Sequence, residues 1–387
     1  MKTQQALKLN YTSKQKNLYM AMELSNQAWK LAMSNGEKIR KITIEARDIA
    51  GLLKAIDKAK EKLKLPKQAK VMSCYEAGRD GFWIHRFLLS NGIDNQVVDS
   101  SSIETNRRAK KVKTDRIDAE KLVMMLMRDI INGERKLWSV VHAPSVEQED
   151  SRRLHREFDR LKKEKTQHTN RIKSLLILHG IYIRTLNITD WPEKVKKFRQ
   201  WDGRPLPLCL QEELIREGKR LALVGEQRNK IQAYQLELIK TSDDPMIRKI
   251  AQLLRLGAIG LKSAWLFVME FYGWRDFKNG RQIGSLAGLT GTPYNSGDSV
   301  RDQGISKAGN RRLRAMIIEI SWMWLRIQPN SHLTRWYQER FAKGSKRMRR
   351  IGIVALSRRL LIELWRYLET GAIPAGARLK AANSRIR

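Results

Sequence analysis

The sequence predicts an α/β domain followed by an all-α remainder, and three observations carry that prediction. Short β-type runs open the chain as LYMAMEL, AWKLAMS and KIRKITI, separated by turn signals at Ser25-Asn26 and at the Asn35-Gly36 pair. Strand-type and helix-type segments then alternate to about residue 142, as in a domain built on a mixed sheet. After Pro144 the composition shifts to long, densely charged runs of helical period.

The elements follow in order. Leu18 to Ile44 reads as three antiparallel strands, and Ala46 to Leu65 as an amphipathic helix stopped by Pro66. Lys70 to Tyr75 is a buried-type strand running into Glu76-Ala77-Gly78, and Arg79 to Ser90 a helix ending at Asn91-Gly92. Gln96 to Asp99 gives a short strand, the stretch after Thr114 a helix to about Ile130, and Lys136 to Val141 a last strand. Val146 to about His179 places Leu154, Phe158, Leu161, Ile172, Leu175 and Leu176 at spacings of three and four. A helical spacer and a coiled-coil arm pairing with a second subunit both fit that pattern. Trp191-Pro192 and Pro205 to Pro207 break the chain before Leu208 to Ile239 resumes as one or two charged helices.

A third region begins near Met246. There Gly257-Ala258-Ile259-Gly260 lies between two helical patterns, as an ordinary turn or as a source of backbone amides for a phosphate. Asn310 is placed to cap a helix running to about Arg326. The end of the chain from Ala375 carries Arg378, Lys380, Arg385 and Arg387 without an acid, which suits a disordered tail or a grip on nucleic acid. The resulting division is 1–142, 143–245 and 246–387.

Charge bounds the function. Among 387 residues, Lys+Arg 76 against Asp+Glu 40 gives +36, and the excess is spread along the whole length. Such a chain binds polyanions, and nucleic acid fits better than a membrane surface because no basic amphipathic helix stands alone. Cys74 and Cys209 are far apart and the six histidines form no i, i+4 pair, which excludes a disulfide scaffold and a zinc finger. The N-terminus lacks an apolar signal segment, and the best candidate for a membrane span, Ala315 to Trp324, is interrupted by Glu319. A soluble, cytoplasmic, nucleoid-associated protein with no membrane partner is expected.

The chemistry concentrates in NRRAKKVKTDRIDAEKL. Cations Arg107, Arg108, Lys110, Lys111 and Lys113 lead into Asp115 and Asp118, which share one helix face at i, i+3. Two carboxylates so placed can ligate Mg2+, although acids at a helix start also answer the macrodipole. Glu23 ends the first strand beside Ser25, and Glu76 ends another within YEAG. Each alone reads as a strand-end or capping acid. Together the four are ordered E-E-D-D, and a ribonuclease-H-like sheet would gather them at one edge for two magnesium ions on a phosphodiester.

These stretches carry a resemblance. YMAMELS, YEAG, NRRAKKVKTDRIDAEKL, the helical middle, RLGAIG and AGLTGTPYNSGDSVRDQGISKAGNRRLR together resemble the DEDD transposases related to the Piv DNA invertase. These form the insertion-sequence family numbered one hundred and ten, the bridge-RNA-guided serine recombinases, and the resemblance covers nearly the whole chain. It implies a RuvC-like N-terminal domain, a coiled-coil linker and a mostly helical C-terminal transposase domain. It also implies a nucleophilic serine matching Ser296, a metal set of Glu23, Glu76, Asp115 and Asp118, and a structured guide RNA. The DNA partners would be element ends and target, handled by homodimers pairing into a tetramer. The family usually has Asp where this chain has Glu23.

Locally, Gly297 lets a bulky substrate approach, while Lys307, Arg311, Arg312 and Arg314 could hold phosphates near a helix N-terminus. Asn295-Ser296-Gly297-Asp298 also reads as a plain turn, with Ser299 and Ser306 as the other candidate nucleophiles. Two rival functions remain: a junction resolvase using carboxylates and water, and a non-catalytic nucleic-acid-binding relic.

Overall fold

The computed structural model describes residues 16–103, 115–134, 137–296 and 299–381; at 101, 115–118, 293–296 and 299–303 only the backbone is described. Arg107, Arg108, Lys110, Lys111, Lys113 and Thr114 therefore lie outside the described residues, as do Gly297, Arg385 and Arg387. Two compact units are present, Met1–Pro144 and Ser145–Arg387.

The first unit opens with the three β-type runs as β1 (Leu18–Leu24), β2 (Ala28–Ser34) and β3 (Ile39–Glu45), paired antiparallel. Ser25 closes the first turn: its hydroxyl donates to the Ala28 carbonyl at 2.6 Å and accepts from the Ala28 amide at 3.1 Å. Then come α1 (Ile49–Lys62), β4 (Val71–Glu76), α2 (Trp83–Ser90), β5 (Asp94–Val98) and α3 (Asp115–Asn132). Among the described residues the sheet order is β3-β2-β1-β4-β5, with β4 parallel to β1 and β5 parallel to β4. The expected mixed sheet is present.

Strand alternation sends side chains to two faces. Leu18, Met20 and Met22 of β1 pack with Leu52, Ile56, Ile84 and Leu88 from α1 and α2. Tyr19 and Ala21 face the other way, joining Ala32 and Cys74 against Ala119, Leu122, Val123 and Leu126 of α3. Two sequence expectations need correction. The helix predicted from Arg79 starts at Trp83, because Gly81 turns the chain at φ 69° and its carbonyl is tied to the Tyr75 hydroxyl at 2.9 Å. The strand predicted over 136–141 contracts to a single bridge between Val98 and Val140, after which Pro144 interrupts the chain.

The second unit contains α4 (Val146–Asp150), α5 (Arg153–Ile177), α6 (Trp191–Lys197), α7 (Leu208–Thr241), α8 (Pro245–Leu254) and α9 (Leu261–Phe267). A π-helical turn, Val268–Tyr272, continues α9. Next come α10 (Gly280–Leu286), the hairpin strands β6 (Gly291–Ser296) and β7 (Ser299–Ile305), α11 (Arg311–Ile327), α12 (His332–Tyr337) and α13 (Lys346–Thr370). The long helix expected from Val146 is split at Ser151-Arg152, where Arg152 turns inward and is buried.

α5 and α7 lie antiparallel in the same chain. His168 meets Glu217, Arg171 meets Glu213, and the Arg228 guanidinium sits 5.6 Å from the Phe158 ring centre. Part of the apolar seam packs within the chain, Ile172 and Leu176 lying among Trp191, Leu214 and Leu221, while Leu154, Phe158 and Leu175 are half-buried. The main core of the unit gathers Trp265, Phe267, Ile317, Trp324, Leu360 and Leu364 from α9, α11 and α13.

The 257–260 turn is an ordinary helix–helix turn. Three of its four amides are engaged: Gly257 donates to the Arg378 carbonyl (3.1 Å), Ile259 to Leu256 (3.3 Å) and Gly260 to the Ser263 hydroxyl (3.0 Å). The Arg378–Lys380 segment is likewise anchored, with the Lys380 amide on the Arg255 carbonyl and its ammonium on the Ile259 carbonyl, both at 2.7 Å. That part of the basic terminus is ordered by the turn it closes. No helix among the described residues is long and apolar enough to cross a membrane.

Candidate active site

The acids Glu23 and Glu76 end adjacent parallel strands. β1 and β4 pair through Met22 and Tyr75, so Glu23 and Glu76 are next in line, about 5 Å apart along the hydrogen-bonding direction. By alternation with Tyr19 and Ala21, and with Met72 and Cys74, both belong to the sheet face covered by α3. Glu23 is half-buried and Glu76 exposed, and both line a cleft of about 420 Å³ at the strand ends. Asp80 lines the same cleft, a third acid the sequence reading passed over. Its carboxylate is flanked by Arg79 at 3.6 Å and Arg47 at 4.0 Å, so its charge is largely answered within the unit.

α3 crosses this face diagonally. Near its start Glu120 contacts Lys41 of β3, while further along Asp129 accepts from Gln96 of β5 at 3.2 Å. Ala119 lines a cleft with Lys30 and Thr43, and Lys30 is the β2 partner of Glu23. The backbone of Asp115 and Asp118 forms the first turn of this helix, at the end that approaches the Glu23–Lys30–Thr43 row. Their side chains lie outside the described residues. Among the described residues no group of three or more His, Cys, Asp or Glu could by itself hold a metal ion. Glu23 and Glu76 fit a hard, oxygen-preferring cation in charge, donor type and proximity.

Ser296 belongs to the second unit, as the last residue of β6, paired in register with Ser299 across the hairpin. The base of the hairpin is held by an interlock of two glycines. Gly288 (φ 66°) passes so close to the next loop that a Cβ would lie 1.9 Å from the Ala308 carbonyl. Gly309 (φ 83°) passes Leu286 equally closely, with a Cβ 2.0 Å from its carbonyl. The Lys307 amide donates to the Gly288 carbonyl and the Ser306 amide to Thr290. Arg314 donates through Nη1 to the Ala287 and Ala308 carbonyls, both at 3.2 Å, so its guanidinium serves the interlock. Lys307, Arg311 and Arg312 are exposed. Asn310 caps α11 as expected, its Oδ1 accepting from the Arg312 and Leu313 amides.

The sequence reading missed the polar cluster behind that cap. Glu270, 3% exposed, lies in the π-helical turn, an irregularity often found at functional sites. Its carboxylate accepts from His155 Nε2 (2.9 Å), from Arg156 Nε (2.7 Å) and Nη2 (2.9 Å), and from Asn310 Nδ2 (3.4 Å). Burial pushes this carboxyl up, but the hydrogen bonds and charges of His155 and Arg156 outweigh burial and hold it far below the usual range. Arg152 and Arg275 sit over the Trp274 ring, 4.2 and 3.9 Å from its centre. Burial and the neighbouring Arg152 lower the Arg275 guanidinium to about 10. A signal was present in the sequence: Glu270 is the lone acid inside the apolar run AWLFVMEFYGW.

The model of the IS116/IS110/IS902 transposase family matches residues 251–338, a span that includes the Ser296 hairpin, Glu270 and Asn310. A Sinorhizobium fredii protein carrying the transposase name y4rJ is 37% identical over 376 residues, covering 94% of each chain. The transposase for insertion sequence element IS1111A of Coxiella burnetii is 26% identical over 245 residues, 60% of each chain. A counterpart for element IS1328 of Yersinia enterocolitica is 25% identical over 234 residues, 59% of this chain and 64% of its own. At the identity and coverage of the first of these, the chain belongs to the IS116/IS110/IS902 transposase family.

Proposed function

We propose that the chain is an RNA-guided DNA transposase of an insertion sequence, which cleaves and rejoins DNA strands through a covalent link to Ser296. The observation that carries this reading is the pairing of Glu23 and Glu76 at one sheet end and face, with the α3 start approaching the same row. On this reading the first unit is a RuvC-like catalytic domain, residues 143–245 a helical linker, and residues 246–387 the serine-bearing transposase domain.

Glu23, Glu76, Asp115 and Asp118 are the residues that would hold Mg2+, which when bound neutralises charge developing on phosphoryl oxygens. Ser296 forms the Oγ–P bond as the P–O bond to the leaving nucleotide breaks. The serine proton passes to a base, and the departing oxygen takes up a proton. A strand hydroxyl then attacks the phosphoserine ester and releases the serine, so one phosphodiester is exchanged for another. Exposed Arg311 and Arg312, in the first turn of α11, attract the substrate phosphates. A structured RNA supplies sequence choice by base pairing, and homodimers pair into a tetramer for exchange.

The test is incubation of the protein with element-end DNA, the adjacent RNA and Mg2+, followed by denaturing electrophoresis. A protein–DNA adduct in wild type, absent in Ser296→Ala, is expected. Undiminished cleavage by Ser296→Ala with no adduct in either protein would assign the chemistry to carboxylates and water, as in a junction resolvase.

A further inference from the structure

We propose that the second unit holds a groove for the phosphodiester backbone of a nucleic-acid strand, running along α5 from Arg152 to Lys163 and across to Lys262 and Arg312. The proposal rests on the transposase reading and goes beyond it by giving a strand a seat along α5 in the second unit, one that shares Arg312 with the foot of the Ser296 hairpin. Two clefts carry it, and they share Arg156 and Arg160. The first, about 430 Å³, is lined by Arg152, Arg153, Arg156 and Arg160 with Glu149 and Glu157. The second, about 420 Å³, lies between α5, α9 and α11 and gathers Arg156, Arg160, Lys163, Lys262 and Arg312 against Asp159 and Glu319. Lys262 is paired with Asp159 at 3.0 Å, Arg153 with Asp150 and Arg160 with Glu157 and Glu164; the two linings still carry seven cations against four carboxylates.

Two features distinguish this lining from a solvated charge run. Arg156 is 48% exposed, yet its Nε and Nη2 are fixed on the buried Glu270 carboxylate. That guanidinium is held in place before any phosphate arrives, so little side-chain entropy is lost on binding. Arg152 at the head of the groove is only 6% exposed, and its Nε and Nη2 have no hydrogen-bond partner among the described residues. A buried cation resting on the Trp274 face is compensated further by an incoming anion. Among the described residues the lining includes no aromatic ring on which bases could stack, so the groove takes the backbone and reads no sequence.

The phosphodiester chemistry is common to DNA and RNA, and the assay separates them. Fluorescence anisotropy with labelled single-stranded DNA and RNA oligonucleotides is measured across a salt series on the full chain and on R160A/K163A/R312A. Loss of three phosphate contacts lowers the slope of log K against log salt by about 2 on the strand the groove takes, with affinity falling about tenfold or more. A drop on DNA alone or RNA alone assigns that strand, and a drop on both assigns the shared backbone. The charge-conserving R160K/K163R/R312K should keep the wild-type slope; if it falls equally, the loss is not one of charge and the groove is refuted. Unchanged binding by the triple alanine variant also refutes the groove, while the Ser296 adduct remains an independent measure of the transposase reading. A wild-type chain that binds neither oligonucleotide overturns the groove, and the transposase reading falls only if the adduct is missing as well.

Discussion

Glu270→Gln removes the single negative charge from a buried cluster and leaves its shape almost unchanged. The carboxylate accepts two bonds from Arg156 and one each from His155 and Asn310. The amide keeps one acceptor oxygen and turns an NH2 toward donors that the second oxygen had satisfied. Hydrogen bonds to charged groups are worth about 1.5–3 kcal/mol, and breaking a buried pair costs about 3–5 kcal/mol. Arg156 is half exposed and regains water, so the lower end, about 3 kcal/mol, is expected.

The second unit has 387 − 144 = 243 residues, for which that loss lowers its melting transition by roughly 6–12 °C. Differential scanning calorimetry at neutral pH reads it directly. The pH dependence gives a second measure. The folded carboxyl is held below its ordinary value, so its stabilisation is complete above the unfolded pKa of about 4.3 and is lost as pH falls below it. Wild type should therefore lose melting temperature from about pH 5 toward pH 3 more steeply than Glu270→Gln. Parallel pH curves, or a neutral-pH shift below about 1 °C, would refute a net stabilising charge at this position.

Further outcomes follow from other parts of the structure. Gly288→Ala places a Cβ into the Ala308 carbonyl at positive φ, so a loss of about 3 kcal/mol or more and a collapse of the Ser296 adduct yield are expected in thermal and gel assays. Gly218→Ala sets a Cβ 2.1 Å from Trp191 Cδ1, and the helix must move off the indole that bonds the Leu214 carbonyl. Urea unfolding should show about 1–3 kcal/mol of destabilisation from that overpacking, with DNA chemistry in the surviving fold retained. Cys74 is fully buried, and burial, with Asp129 adding to it, raises its thiol well above the ordinary value, whereas Cys209 is exposed. A thiol reagent should label one cysteine in the native chain and two in denaturant; two labelled natively would contradict the packing of β4 against α3.

Local pattern made most of the first unit legible. Ser25-Asn26 and Asn35-Gly36 marked both hairpin turns, and the strands between them fall within a residue or two of the predicted runs. Pro66 marked the end of α1 closely, which stops at Lys62. The start of α2 was not legible, because the Gly81 turn depends on a tyrosine hydroxyl reaching its carbonyl, a contact periodicity does not report. The same limit explains α5. Its apolar seam was visible, but whether α7 or another subunit would cover it depends on contacts such as His168 with Glu217, 49 residues apart.

The candidate site divides along the same physical line. Glu23 and Glu76 could be chosen from sequence because strand-end acids in alternation have a definite face and level, and the sheet register sets them side by side. Glu270 was marked only as a lone acid in an apolar run, and its partners could not be, since His155 and Arg156 reach it across 115 and 114 residues. Yet Glu270 also touches Asn310, the cap that starts α11 at the foot of the Ser296 hairpin. The Asn310 Nδ2 contact to Glu270, at 3.4 Å, favours the amide orientation that turns Oδ1 toward the Arg312 and Leu313 amides. The charge that orients Arg156 at the groove therefore also touches the cap beside the hairpin. One buried carboxylate thereby couples the cationic groove to the seat of the serine, which is why its removal should appear in both strand affinity and adduct yield.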